Sequence, residues 1–218
     1  MEPTSRKYLF FDLDGTLTDS MPGIARAVQY ALRRFGIDVQ DLAALKPFLG
    51  PPLRDSFMEF YGMSPEEADR AVAVSREYFV PRGMFENELY PGIPELLAAT
   101  AAAGRVNVIA TSKPQPFAER IAAHFGIDRH FRLISGSTFD GRRKTKADVI
   151  RHALSALGIA PGEAVMIGDR RHDVEGAAAT GLAAIGVLWG YGSREELQTA
   201  KPAFIAEVIP ALRQLLLG

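Results

Sequence analysis

Cysteine is missing from all 218 residues, so neither a disulfide nor a thiol nucleophile is available to this chain. An excess of basic charge is missing as well. Lysine and arginine number 25 against 26 aspartates and glutamates, and a net charge of −1 offers no footprint for a nucleic-acid polymer. No apolar run approaches the roughly 18 residues a membrane span needs. The opening "MEPTSRKYLFFDLDG" has no apolar stretch or cleavage site of the signal-peptide kind, and acids intrude early. Low-complexity tracts and clear repeats are also absent. The expectation is a soluble, cytoplasmic protein with no membrane partner. What is present is apolar content: 47% of residues, enough for a sizeable core in one large domain or in one domain carrying a smaller insert.

The pattern along the chain changes twice. "KYLFFDLD" is a short aromatic, apolar run closed by Gly15 and predicts a buried strand. From Pro22 to about Phe35 the apolar residues Ile24, Ala27, Val28, Ala31, Leu32 and Phe35 recur at helical spacing. "LKPFLGPPL" reads as a loop, followed by a short helix in "LRDSFMEFYG" and a longer one in "SPEEADRAVAVSREYF". In the latter, Ser64, Pro65 and Glu67 form a capping-box pattern. After "YPGIPELLAATAAAG", strands alternate with helices: "RVNVIATS", "FRLISGS", "EAVMIGD", "LAAIGVLWG" and a short "AFIA". Continuous apolar strands alternating with helices predict an α/β, Rossmann-like, doubly wound parallel sheet. The helical block interrupts it after the first strand. The expected division is a discontinuous core of residues 1–18 and 89–218, with an inserted α-helical domain over 19–88.

Ligands of open parallel sheets bind beyond the carboxyl ends of the strands. There stand Asp12 and Asp14; Thr111, Ser112 and Lys113; and Asp169, with Asp173 four residues on. Lys144 and Lys146 precede the helix between the third and fourth strands. Clustered carboxylates repel unless a cation neutralises them. Oxygen ligands without His or Cys select a hard ion, and Mg²⁺ binds through a few carboxylates. On an extended chain Asp12 and Asp14 leave on one face. Asp169 and Asp173, at i and i+4, can face one ion if a helix starts directly after Asp169. Magnesium, lysine and hydroxyls suit an anionic phosphate, and a carboxylate can serve as nucleophile with a second as general acid/base. Each piece alone has an ordinary reading: an acidic turn, a helix cap, a solvated basic loop. Their order and their placement on strand ends favour the site.

The motifs "DLDGTLTDS", "ATSKP", Lys146 (or Lys144) and "MIGDRRHDVEGA" resemble the four motifs of the haloacid dehalogenase-like superfamily. The resemblance covers essentially the whole chain. It implies Asp12 as nucleophile and Asp14 as general acid/base, with Thr111 and Ser112 on the transferring phosphoryl group and a lysine neutralising charge. It implies Mg²⁺ held by the Asp12 carboxylate, the Asp14 carbonyl and Asp169, with Asp173 close or acting through water. It also implies a helical cap that closes over the substrate. A pattern related to "DGxRxxK" selects Lys146, and Asp148 reads as a helix-start acid. The acid at Asp14 favours phosphate chemistry over dehalogenation, and a helical segment whose one lysine is Lys46 speaks against a Schiff-base branch. The phosphoglycolate phosphatase-like branch, and within it a 5′-nucleotidase-like subgroup, matches best.

The expected function is Mg²⁺-dependent hydrolysis of a small phosphomonoester through an aspartyl phosphate. A phosphomutase, or a non-catalytic phosphate- or metal-binding regulator, is the alternative. Gly15, Ser112, Lys113 and Arg54 are the candidate substrate contacts. Phe48 and Phe57 read as core of the insert, Trp189 as packing, and His124, His130 and His152 as histidines without partners, with no role for His172. The expected partner is a small phosphorylated metabolite, and the protein a monomer or homodimer.

Overall fold

The computed structural model describes residues 2–218. The chain runs through β1 (Tyr8–Phe11), β2 (Thr18–Asp19), α1 (Met21–Arg34), α2 (Leu53–Tyr61), α3 (Pro65–Phe79), β3 (Glu88–Leu89) and α4 (Ile93–Ala102). It continues through β4 (Val106–Pro114), α5 (Gln115–His124), β5 (Phe131–Ser137), α6 (Lys146–Leu157) and β6 (Ala164–Gly168). The last elements are α7 (Arg171–Ala178), β7 (Ala183–Val187), α8 (Arg194–Ala200), β8 (Phe204–Ala206) and α9 (Ile209–Leu217). They form two compact units: Met1–Thr18 with Leu89–Gly218, and Asp19–Glu88. Among the described residues, no helix is long and apolar enough to cross a membrane.

The first unit is built on a six-stranded sheet in the order β5-β4-β1-β6-β7-β8, with every pair parallel. Phe10 pairs in register with Val108 on one side and Met166 on the other. Phe10, Val108, Met166, Val149, Ile150 and Val174 are buried together beneath α6 and α7. The strands are apolar along their length because helices cover the sheet on its faces. β1 is central: the chain moves outward from it to β4 and β5, then returns to its other side as β6, β7 and β8. That reversal makes the end of β1 the topological switch point, where such sheets bind ligands.

The second unit is helical. Ala25, Val28, Leu32, Leu45, Phe48, Phe57 and Ala71 form its core, and the Phe48 and Phe57 rings meet edge to face at 5.0 Å. The expected capping box is present, with Ser64 Oγ accepting from Glu67 N–H and Glu67 Oε2 accepting from Ser64 N–H. The stretch expected as a loop at "LKPFLGPPL" is ordered further than its Pro and Gly content suggested. Leu42–Phe48 forms a 3₁₀ helix capped by the Asp41 carboxylate, because Leu45 and Phe48 both reach the helical core. β2 and β3 pair as a two-stranded ribbon that periodicity did not reveal, since two residues per strand carry no pattern.

α6 and α7 approach closely at Gly176. A Cβ there would lie 2.8 Å from the Cβ and 2.7 Å from the Cγ of Lys146, the buried stem rather than the mobile end of that side chain. Gly176→Ala is therefore expected to cost about 1–3 kcal/mol through overpacking and to lower the urea midpoint. An unchanged midpoint would show that α6 and α7 shift apart freely.

Candidate active site

β1 stops at Phe11, but Asp12 stays on the sheet: its N–H donates to Ile167 O on β6 at 2.9 Å. The Leu13 N–H donates to Asp12 Oδ1 at 2.8 Å. The chain then coils. The N–H groups of Thr16, Leu17 and Thr18 all point to Leu13 O, and Gly15 takes φ of +81°. A Cβ on Gly15 would fall 2.3 Å from Asp169 Oδ2, so only glycine fits. The extended strand on which Asp12 and Asp14 were expected to share a face ends at Phe11, and Asp14 lies beyond it in an isolated bridge with Thr18. The Asp14 carboxylate goes to Lys113 Nζ, at 2.7 and 2.9 Å, while Asp12 Oδ1 goes to Lys146 Nζ at 2.9 Å.

Lys146 is the first residue of α6 and is buried, its side chain 4% exposed. Its ammonium has three donors, and three acceptors surround it: Asp12 at 2.9 Å, Asp173 at 2.7 Å and the carbonyl of Ala110 at 3.1 Å. That carbonyl sits where β4 loses register with β5, between Ala110 and Pro114, and such bulges re-aim side chains. Thr111, Ser112 and Lys113 occupy this irregular stretch. The Thr111 hydroxyl also accepts the Lys113 N–H at 3.2 Å and reaches Asp12.

β6 delivers Asp169. α7 begins at Arg171, not directly after Asp169, so the two acids do not share a helix face. They meet for another reason. Asp173 is the third residue of α7, where its Oδ2 accepts the Arg170 N–H, and this folds its carboxylate back towards Asp169. Asp12, Asp169 and Asp173 offer oxygens within 4.8 Å of one another. Asp173 Oδ1 is buried, with the Lys146 ammonium 2.7 Å away as its ion-pair partner. Three carboxylates against one ammonium leave two negative charges uncompensated, and an all-oxygen donor set suits a hard divalent ion. Without a cation the repulsion appears in the acids. Burial, then Asp173 and Asp12, push Asp169 up to about 8. Burial also raises Asp12, against the opposing pull of Lys146. Burial works against the Lys146 ammonium, but Asp12 and Asp173 overcome it and hold that lysine above its ordinary value.

Several supporting residues escaped the sequence reading. Thr16 Oγ1 donates to Asp169 Oδ1 at 3.3 Å, and the Tyr191 N–H donates to Asp169 Oδ2 at 2.7 Å. Trp189, expected only to pack, donates its indole N–H to Thr16 O at 3.0 Å. Thr16 stands inside "DGT", so its motif was the available signal; Tyr191 acts through its backbone and left none. Of the other candidates, Ser112 is half-buried at the strand end, and Lys113 engages Asp14 instead of standing open to a ligand. Arg54 belongs to the helical unit, where it pairs with Asp69 at 2.8 Å. Lys144 is exposed, and Asp148 caps α6 with Thr145, as a helix-start acid should. The histidines do have partners: His152 Nδ1 meets Ser135 Oγ at 2.8 Å, His130 accepts from Arg129, and His124 packs on Phe125.

Residues 9–187 match the family model of haloacid dehalogenase-like hydrolases. The chain belongs to that family. This haloacid dehalogenase-like hydrolase is 50% identical to a 5′-nucleotidase of Pseudomonas aeruginosa, over 95% of this chain and 94% of the relative. It is 40% identical to the tyrosine-protein kinase PtkA of Mycobacterium tuberculosis, over 97% of this chain and 73% of the relative. Among solved structures, a predicted phosphatase from Clostridium acetobutylicum superposes with a TM-score of 0.93 at 46% identity, covering 96% of this chain and 97% of that one. The hydrolase is an enzyme of the phosphatase class.

The raised Asp169 has a consequence for stability. Its folded value of about 8 lies above its ordinary 3.8, so the folded state holds a proton that the unfolded state releases between those values. Metal-free stability should therefore fall as pH rises across that window. Above pH 8, metal-free Asp169→Asn should melt higher than the wild type, and Mg²⁺ should raise the melting temperature of the wild type only. Equal Mg²⁺ shifts in both proteins, or a flat wild-type profile from pH 4 to 8, would contradict this.

Proposed function

We propose that this phosphatase hydrolyses a small phosphomonoester, a 5′-nucleotide or a phosphoglycolate-like ester, with Mg²⁺ as cofactor and an aspartyl phosphate on Asp12 as intermediate. The observation that carries the reading is the division of the two acids between two lysines. Asp12 sits in the buried Lys146–Asp173 cluster, and Asp14 sits apart on Lys113. Two carboxylates two residues apart in different environments suit two different tasks.

Asp12, Asp169 and Asp173 supply the acidic oxygens for Mg²⁺, with the Asp14 carbonyl as a further ligand. When bound, the ion neutralises the charge that accumulates on the phosphoryl oxygens. Thr111 and Ser112 hold the phosphoryl group, and Lys146 offsets negative charge on Asp12 and on the incoming phosphate. An Asp12 carboxylate oxygen attacks phosphorus, and the ester P–O bond breaks. The leaving oxygen takes its proton from Asp14, with Lys113 holding that carboxylate in place. In the second half Asp14 removes a proton from water, the water oxygen attacks phosphorus, and the P–O bond to Asp12 breaks. Phosphate leaves and both acids return to their starting states.

The helical insert would govern the access of water and of substrate, and it is the natural place for specificity. Arg54 remains a candidate contact there. With Mg²⁺ and a generic phosphate ester, Asp12→Asn should lower kcat at least 10³-fold, on the order expected when a covalent nucleophile is lost. Asp14→Asn should lower kcat roughly 10²–10⁴-fold, the scale of general acid–base catalysis. Retained turnover in Asp12→Asn would overturn the nucleophile assignment. Appearance of the phosphoryl group on an added sugar hydroxyl, in place of free phosphate, would identify a mutase.

A further inference from the structure

Asp169 and Asp173 depend for their placement on a stretch of chain that takes no part in the proposed chemistry. It is Trp189–Glu196, which follows β7 and enters α8. Its far end is anchored. Leu197 is fully buried in the core with Val174 and Ala177 of α7, and Ser193 Oγ caps α8 by accepting the Glu196 N–H at 3.0 Å. Along its length the stretch lies on Asp169. The Tyr191 N–H donates to Asp169 Oδ2 at 2.7 Å. A Cβ on Gly190 would fall 2.5 Å from the Asp169 Cβ, and one on Gly192 would overlap the Asp169 carbonyl oxygen, so the backbone comes this close only as glycine.

Two side chains fasten the stretch to the elements that carry the acids. At one end the Trp189 indole N–H donates to Thr16 O at 3.0 Å, and the hydroxyl of that threonine donates to Asp169 Oδ1 at 3.3 Å. Asp169 thus has a donor on each oxygen, one from the turn after β1 and one from the stretch itself, and the indole ties the two together. At the other end Glu196 Oε1 accepts both the Arg170 Nε–H and the Arg171 N–H, each at 2.9 Å. Those two residues follow Asp169 directly and lead to Asp173, whose Oδ2 accepts the Arg170 N–H at 3.1 Å. The Glu196 and Arg170 side chains are largely buried, so solvent screens the pair less than it would on an open surface. A carboxylate free to swing must be ordered when an ion binds. Outer contacts that fix the ligands beforehand commonly change metal affinity by roughly 10–100-fold.

We propose that Trp189 and Glu196 are positioning residues that set the affinity of the acidic cluster for its divalent ion, by clamping Asp169 and Asp173 through the stretch between them. The proposal rests on the Mg²⁺ reading above. Neither side chain is a ligand, and each acts through the backbone that it holds. The clamp also gives a task to "GVLWGYGSREEL", a motif that the catalytic roles leave unused.

The test follows the melting temperature of the substrate-free protein, first without metal and then across a series of MgCl₂ concentrations. Trp189→Phe keeps a flat ring and removes the N–H, and Glu196→Ala removes the shared acceptor. Each variant should need roughly tenfold more MgCl₂ than the wild type for the same rise in melting temperature. Glu196→Gln should recover most of that loss, because both hydrogen bonds end on one oxygen, Oε1, and an amide carbonyl can take its place. A role in folding alone would lower the metal-free melting temperature and leave the MgCl₂ dependence as in the wild type. That result would overturn the clamp and leave the Mg²⁺ reading standing. A Glu196→Gln variant that responds no better than Glu196→Ala would also overturn it. If one of the two deletions does not fold, the MgCl₂ response of the other decides. A wild type that cleaves phosphomonoesters yet shows no rise with MgCl₂ would remove the cofactor reading, and the clamp with it.

Discussion

Like charge confined to one buried rim is the constraint on which the rest of this structure depends. Asp12, Asp169 and Asp173 place carboxylate oxygens within 4.8 Å of one another, largely out of water. Such a cluster cannot ionise fully unless cations are brought to it. The chain supplies one in Lys146, whose ammonium finds Asp12, Asp173 and the Ala110 carbonyl. It supplies a second in Lys113, which takes Asp14 out of the cluster. What remains uncompensated is two units of negative charge, and that remainder is the physical argument for a divalent ion.

The architecture around the cluster follows from this. A central β1 at the switch point puts Asp12 where two halves of the sheet diverge. The irregular end of β4 exposes a carbonyl for Lys146 and turns Thr111 towards Asp12. Glycine at position 15 lets the turn after β1 lie against Asp169. Thr16, Tyr191 and, through Thr16, Trp189 hold that aspartate in a single orientation. Relatives at 50% and 40% identity carry different names, one a 5′-nucleotidase and the other a tyrosine-protein kinase, so the fold alone does not choose the phosphoryl acceptor.

Much of this was legible in the residues. The apolar strands announced a parallel sheet because burial on both faces removes alternation, as in "EAVMIGD" and "RVNVIATS". The acids at strand ends announced a cluster of carboxylates, and Asp12, Asp169 and Asp173 do gather into a group that could hold a metal ion. The helical insert showed itself through spacing and the Ser64 cap. What escaped was set by tertiary contact. The pairing of Lys113 with Asp14 depends on a bulge that composition does not encode. The meeting of Asp169 with Asp173 was anticipated for the wrong reason, since a cap on Arg170, not a shared helix face, brings them together. The Tyr191 amide is a backbone group and has no signature in the sequence.

The central claim is that Asp12 bonds covalently to phosphorus. The stereochemical course at phosphorus, followed with a phosphorothioate monoester made chiral by oxygen isotopes and hydrolysed in water carrying the third isotope, tests it most directly. Two successive in-line displacements, first by Asp12 and then by water, predict net retention of configuration. Net inversion would mean that water attacks the substrate directly, and would contradict the account.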